Sequence, residues 1–229
     1  MCYKRARVSG TIIPRVVEND ITSGFKLCVE CGRVLPIAKF KGKEKARWHH
    51  PCYQCCKLHD RYRIPYIVYE ILCKLQSYSC AICNIHQSNT KTSLFVDHDH
   101  LTGKIRGLLC DPCNRGIGAF EDSYIRCENA IVYLQKSDVL FDTTGIKYPK
   151  DKFMEYYAPI HCQICLSDLP SRRQVNIDHD HSCCISNYLD CKACIRGFLC
   201  RGCNTGLGMM YDSIDRLDSA AKYLRKYTV

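Results

Sequence analysis

Residues 96–114 read Val96-Asp97-His98-Asp99-His100-Leu101-Thr102-Gly103-Lys104-Ile105-Arg106-Gly107-Leu108-Leu109-Cys110-Asp111-Pro112-Cys113-Asn114. The pattern returns as Ile177-Asp178-His179-Asp180-His181 and Ile195-Arg196-Gly197-Phe198-Leu199-Cys200-Arg201-Gly202-Cys203-Asn204. A C-x-x-C pair precedes each copy, Cys80/Cys83 and Cys162/Cys165. In both copies an Asp-Ser pair follows the Asn after eight residues, then a segment ending Tyr133-Leu134 or Tyr223-Leu224. This is an internal repeat. Its copies differ mainly between Asp and Cys: Asp97 to Cys110 spans 13 positions and Asp178 to Cys200 spans 22. The extra stretch carries Cys183, Cys184, Cys191 and Cys194, as expected of a loop pinned by its own metal.

Cysteine supplies 20 of 229 residues. The N-terminus, Met1-Cys2-Tyr3-Lys4-Arg5-Ala6-Arg7, has no apolar run that would serve as a signal peptide, and no segment has the unbroken apolar length of a membrane span. The reading is therefore an intracellular, non-secreted chain that binds zinc, in preference to disulfides. Four closed sites follow from the pairing: Cys28, Cys31, Cys52 and Cys55; Cys80, Cys83, Cys110 and Cys113; Cys162, Cys165, Cys200 and Cys203; and Cys183, Cys184, Cys191 and Cys194. The formal charge of +10 suggests nucleic acid. Each tetrathiolate zinc site carries −2, so four sites bring the total down to about +2, and the placement of Lys and Arg matters more than their sum.

Coarse structure follows from pattern. Leu94-Phe95-Val96 and Ile105 to Leu109 are short strands about a Thr102-Gly103-Lys104 turn, a hairpin leading into a cysteine knuckle. Ile214, Leu217, Ala220, Ala221 and Leu224 recur at helical spacing behind Asp212 or Ser213 as the cap. The equivalents are Tyr124, Cys127, Ala130, Ile131 and Leu134, which puts Cys127 on the buried stripe as a core residue and not a ligand. Ile67, Ile71 and Leu75 predict a helix feeding Cys80, and Lys152 to Tyr157 a counterpart before Cys162. The fold class is α+β, built of small zinc-stabilised domains: a zinc ribbon over 1–63, a first module over 64–136, a linker over 137–152, and a second module over 153–229 with a zinc-pinned insertion at 182–194.

Asp-His-Asp-His at a strand end offers side chains on alternate faces, so Asp97 and His98 serve together only if the strand bends. A carboxylate and the amide oxygen of Asn114 are hard ligands for Mg²⁺ or Mn²⁺, and most of such a cation stays open to substrate. A neutral imidazole can deprotonate water. Together these suit phosphodiester hydrolysis. A tetrahedral His/Asp zinc site or plain surface polarity is the alternative, disfavoured because cysteines already supply the zinc ligands.

This constellation resembles the recombination endonuclease VII family, phage Holliday-junction resolvases within the HNH (His-Me finger, ββα-metal) nucleases. The resemblance rests on Cys80-Ala81-Ile82-Cys83, Val96 to His100, Gly103 to Asn114 and Gly116-Ile117-Gly118. In the second copy it rests on Cys162-Gln163-Ile164-Cys165, Ile177 to His181, Ile195 to Asn204 and Gly206-Leu207-Gly208. It covers roughly residues 66 to 134 and 153 to 225. It implies two ββα-metal modules, each with one Mg²⁺ or Mn²⁺ held by Asp97 and Asn114, or by Asp178 and Asn204. His98 and His179 would be general bases, and His100 and His181 auxiliary metal or phosphate contacts. The family's Glu shortly after the Asn has no counterpart, since the chain reads Arg115-Gly116-Ile117 and Thr205-Gly206-Leu207 there. Residues 26 to 63 look like the zinc-ribbon preface of such modules. Between its cysteine pairs lie Lys39, Lys41, Lys43, Lys45, Arg47 and Trp48, then His49 and His50, a set suited to phosphate contacts and base stacking, while Phe40 anchors the ribbon.

The expected partner is DNA, possibly branched, with no membrane. The implied setting is the cytoplasm of a bacterial host infected by a phage that encodes the chain. Two modules in one polypeptide allow action as a monomer, although a dimer is compatible. The alternatives are an HNH nicking or homing endonuclease on duplex DNA, or a non-catalytic zinc-dependent nucleic-acid-binding protein. The last is disfavoured because both copies keep Asp, His and Asn. Metal analysis is expected to return three or four zinc ions per chain, and fewer than three would refute the cysteine pairing.

Overall fold

A computed structural model of the chain describes residues 24–40, 51–135, 161–169, 172–180 and 195–228. The expected linker, the helix over 152–157, the insertion with Cys183, Cys184, Cys191 and Cys194, His181, and residues 41–50 of the basic stretch lie outside the described residues. The chain divides into two compact units, 1–71 and 72–229, and the second contains both sulfur knuckles of the repeat.

In the first unit, β1 (Phe25–Leu27) and β2 (Val34–Pro36) pair antiparallel around the Cys28/Cys31 knuckle. Phe40 is buried against Cys28, Cys52 and Cys55, with Lys26 Nζ 4.8 Å above its ring, so it anchors the ribbon as expected. Helix α1 (Tyr53–Tyr62) begins at Cys52. Helix α2 (Tyr66–Leu75) forms where the spacing places a helix. Its buried residues include Tyr69 and Cys73, while Ile67, Ile71 and Leu75 are exposed. The segment is apolar nearly all round, so spacing alone could not select the face.

The second unit repeats one plan. In the first module β3 (Phe95–His98) and β4 (Ile105–Leu109) form a hairpin, followed by α3 (Asp111–Ala119) and α4 (Tyr124–Gln135). In the second, β5 (Asn176–His179) and β6 (Ile195–Leu199) are followed by α5 (Arg201–Met209) and α6 (Ile214–Arg225). Gly103, at φ 69°, makes the first hairpin's turn. Register runs Asp97 against Gly107 and then His98 against Ile105, so Arg106 is left over. The same shift leaves Arg196 over between Asp178 and His179. Each bulge falls between the Asp and the His of its copy.

The helices of one module pack on those of the other, α3 against α5 and α4 against α6. Each module, of roughly 70 residues, thereby adds to a core that would be small by itself. Leu217, Ala220, Ala221 and Leu224 are buried, as the stripe predicts, and so is Cys127, whereas Ile214, at the first position of the helix, is exposed. Close approach of α3 and α5 depends on glycine. A Cβ at Gly206 would lie 2.6 Å from Phe120 Cζ, and one at Gly116 would lie 2.7 Å from Met210 Cε. Gly118 and Gly208 face open space.

Thermal unfolding at constant zinc content should rank these sites. Gly206→Ala must displace a fully buried ring and is expected to cost about 1–3 kcal/mol of packing, more than the roughly 1 kcal/mol gained in helix propensity. Gly116→Ala meets chiefly the flexible end of Met210, with Met209 Cβ at 3.3 Å, and should cost less. Gly118→Ala should be neutral or stabilising by up to about 1 kcal/mol.

Candidate active sites and metal centres

Three clusters of four cysteines are assembled among the described residues, and they are the first three sets expected from the spacing. The ligand sulfurs of each lie within 4.8 Å of one another. Individual separations are 3.5 Å for Cys52–Cys55, 3.6 Å for Cys83–Cys110, and 3.8 Å for both Cys28–Cys55 and Cys165–Cys200. Zinc–sulfur bonds of about 2.3 Å in a tetrahedron require sulfurs about 3.8 Å apart, whereas a disulfide requires about 2.0 Å. The fit is to zinc.

Each cluster joins a knuckle to a helix start. The carbonyl of the first cysteine accepts from the fourth residue on, Gly32, Asn84 or Leu166, each left-handed at φ 66°, 57° and 60°. The second pair opens a helix, with Cys52, Cys110 and Cys200 at the N-caps of α1, α3 and α5. The positive end of a helix favours thiolate there, against burial, which pushes the Cys52 and Cys200 thiols up. Within the clusters, the Cys110 and Cys113 thiols hold Cys80 down to about 7, and the Cys203 thiol holds Cys162 down to about 4. Cys127 stands apart, its thiol pushed up to about 12 by burial, which is the state of an unreactive core residue.

At the first bulge, Asp97 is 4% exposed. Arg106 grips it with two hydrogen bonds, Nε to Oδ2 at 2.7 Å and Nη2 to Oδ1 at 2.9 Å. Arg106 Nη2 also lies 3.0 Å from Asp122 Oδ2. Asp122 Oδ2 in turn lies 2.8 Å from His100 Nδ1. A carboxylate only accepts, so Nδ1 carries the proton and the Nε2 of a neutral His100 keeps its lone pair. The His98 and His100 rings are 5.1 Å apart. Asp99 takes no part in this, because its Oδ1 accepts from the Leu101 and Thr102 amides and shapes the hairpin turn.

The second module repeats the arrangement. Arg196 donates Nε to Asp178 Oδ2 at 2.7 Å and Nη2 to Oδ1 at 3.0 Å, and Nη2 reaches Asp212 Oδ2 at 2.8 Å. In each module the bridging Asp follows a left-handed residue and is itself left-handed, Asp122 at φ 53° and Asp212 at φ 52°. The next residue caps a helix: Ser123 Oγ accepts from Arg126 N and Ser213 Oγ from Arg216 N. The Asp-Ser pair thus aims a carboxylate and starts a helix in one turn.

A further hydrogen bond to each buried Asp comes from the other module. Tyr223 Oη donates to Asp97 Oδ2 at 2.8 Å, and Tyr133 Oη donates to Asp178 Oδ2 at 2.9 Å. Burial, then the neighbouring carboxylate, pushes both hydroxyls above their ordinary range, so they remain donors. Burial opposes the Arg106 charge, but Asp97 and then Asp122 more than restore it. Asn114 and Asn204 stand in the first turns of α3 and α5, helices that contact β3 and β5. His179 ends β5. Arg106, Arg196, Asp122, Asp212, Tyr133 and Tyr223 were missed as site residues, although each repeats at an equivalent place.

Two stretches, residues 55–136 and 140–226, match the family model of recombination endonuclease VII. Gene 59 protein of Mycobacterium phage D29 is 33% identical over 124 residues, which cover 48% of this chain and 74% of that protein. Gene 59 protein of Mycobacterium phage L5 is 42% identical over 62 residues, 27% of this chain and 37% of that protein. No solved structure matches the chain. Among the described residues no helix is long and apolar enough to cross a membrane.

Removing one partner of a buried ion pair strands the other. Arg106→Met is expected to destabilise the protein by about 3–5 kcal/mol in denaturant titration. Arg196→Met should cost less, because the Arg196 side chain is 20% exposed against 4% for Arg106.

Proposed function

The chain belongs to the recombination endonuclease VII family, and from that premise we propose that it is a metal-dependent DNA endonuclease with two active sites in one polypeptide, acting on branched DNA. The observation that carries this reading is the doubled site. Both modules set an Asp buried at a strand bulge, a His beside it, and an Asn on the helix that follows. Two such sites suit a substrate in which two strands must be cut. The setting proposed is intracellular, in a phage-infected bacterium, in keeping with the phage relatives.

Asp97 and Asn114 would hold one Mg²⁺ or Mn²⁺, and Asp178 and Asn204 another. Lone pairs support the fit. Asp97 Oδ2 accepts from both Arg106 and Tyr223, whereas Oδ1 accepts from Arg106 alone. Asp178 is disposed in the same way. Each Oδ1 thus keeps a lone pair for a cation, and an amide oxygen is a second hard donor. A bound cation stabilises charge developing on the phosphate and the leaving oxygen. His98 and His179 are assigned as general bases that take the proton of the attacking water. His100 and His181 are assigned to a phosphate or the metal. For His100, the Asp122 bond leaves Nε2 as the atom available.

Purified protein should cut four-way-junction DNA with Mg²⁺ and not with EDTA, in an assay that includes linear, nicked and single-stranded DNA. Preference for plain duplex would move the reading to a nicking or homing enzyme, and no cleavage at all to a binding protein. His98→Ala should slow its own module by ~10²–10⁴-fold and leave zinc content unchanged. With strand-specific end labels, Asp97→Ala and Asp178→Ala should each leave cutting on one strand only, and on opposite strands. A single substitution that abolishes both cuts would overturn the two-site assignment.

A further inference from the structure

We propose that each active site is completed by the other module: Tyr223, in the second module, is the positioning residue for Asp97, and Tyr133, in the first, is the positioning residue for Asp178. The inference rests on the endonuclease reading above. Its physical basis is the pair of crossed hydrogen bonds, 2.8 Å from Tyr223 Oη to Asp97 Oδ2 and 2.9 Å from Tyr133 Oη to Asp178 Oδ2. Both tyrosines are buried on the last turns of α4 and α6, the helices that pack the modules together.

A second observation is independent of these bonds. Asp97 pairs with Gly107 across the hairpin, and Asp178 with Gly197. A Cβ at Gly107 would lie 3.1 Å from both Gln76 Oε1 and Tyr223 Oη, and one at Gly197 would lie 3.0 Å from Tyr133 Oη and closer still to Gln163 Oε1. The glycine opposite each Asp therefore leaves room for two side chains: a glutamine of its own module, which accepts from the next strand amide, and the other module's hydroxyl. The repeated Ile-Arg-Gly now divides into functions: the Arg grips its own Asp, and the Gly leaves the space that the foreign tyrosine shares with that glutamine.

The consequence for the proposed chemistry is geometric. Arg106, itself held by Asp122, grips one edge of the Asp97 carboxylate. A third bond, from a helix of the other module, fixes the carboxylate plane and keeps Oδ1 as the oxygen left for a cation. A group that hydrogen-bonds a metal's ligand commonly changes affinity or activity by about 10–100-fold when removed.

The test uses the full chain and a crossed design. Asp178→Asn leaves the first site working, and Asp97→Asn leaves the second. In the Asp178→Asn background, Tyr223→Phe should lower junction cleavage, and weaken Mn²⁺ binding followed by electron paramagnetic resonance, by about 10-fold or more relative to Tyr133→Phe. In the Asp97→Asn background the order should reverse. A tyrosine that matters only for folding would act equally in both backgrounds, and one that serves its own module would give the opposite order; either result overturns the inference. Should an Asp→Asn background lose its zinc or its fold, His179→Ala and His98→Ala silence the same sites for the cleavage comparison. If the parent cuts and the crossed order is absent, the inference falls and the endonuclease reading stands. If the parent does not cut but Mn²⁺ binding shows the crossed order, the reading falls and the inference stands. A parent that neither cuts nor binds Mn²⁺ overturns both.

Discussion

A carboxylate buried as deeply as Asp97 must be paired, and the second unit is arranged around meeting that demand twice. The bulge in each hairpin frees one arginine from the strand ladder and turns it onto the Asp. That arginine is nearly buried too, so its remaining N–H donors need an acceptor, which the left-handed Asp122 or Asp212 supplies. One oxygen still accepts a further donor, and it comes from the opposite module. Each step follows from the one before, because a half-satisfied buried network costs more than none.

The modules meet this demand jointly, and each gains core by doing so. A unit of about 70 residues has a small core of modest stability. Two kinds of help are present. Sulfur clusters pin each knuckle to a helix N-terminus, where metal-binding free energy becomes folding free energy. Packing of α3 on α5 and α4 on α6 then merges two small cores, with Phe120, Met210 and Leu217 among the side chains withdrawn from solvent. The interface that stabilises the fold also delivers the crossed tyrosines, so stability and site geometry are not separable here.

Much of this was legible in sequence. The first three cysteine clusters, the hairpin strands, the turn at Gly103, the buried stripe of α6 and the core role of Cys127 all follow from spacing and residue type. The face of α2 did not, because an almost uniformly apolar helix carries no phase. The ion-pair network did not either, for a different reason. Arg106 and Gly107 look like strand filler until the register shift is known, and Tyr223 lies 126 residues from the carboxylate it meets. Repetition was the available signal. Ile-Arg-Gly, Asp-Ser and Tyr-Leu recur in both copies without being needed for zinc or for the expected ligand set.

The two copies agree where charge is buried and differ where only shape is at stake. Arg to Asp, Asp to Arg, and Tyr to Asp contacts are the same in both modules to within a few tenths of an ångström. The packing opposite the helix glycines is not: Gly206 meets a phenylalanine ring where Gly116 meets a methionine. The second module also spans 22 positions from Asp178 to Cys200 where the first spans 13. A shape mismatch can be absorbed by a neighbouring side chain, whereas an unpaired buried charge cannot. Divergence between the copies is therefore free to reshape the approach to each site while the buried network holds both carboxylates alike. That is the condition under which the two active sites proposed above would share a chemistry and still meet different strands.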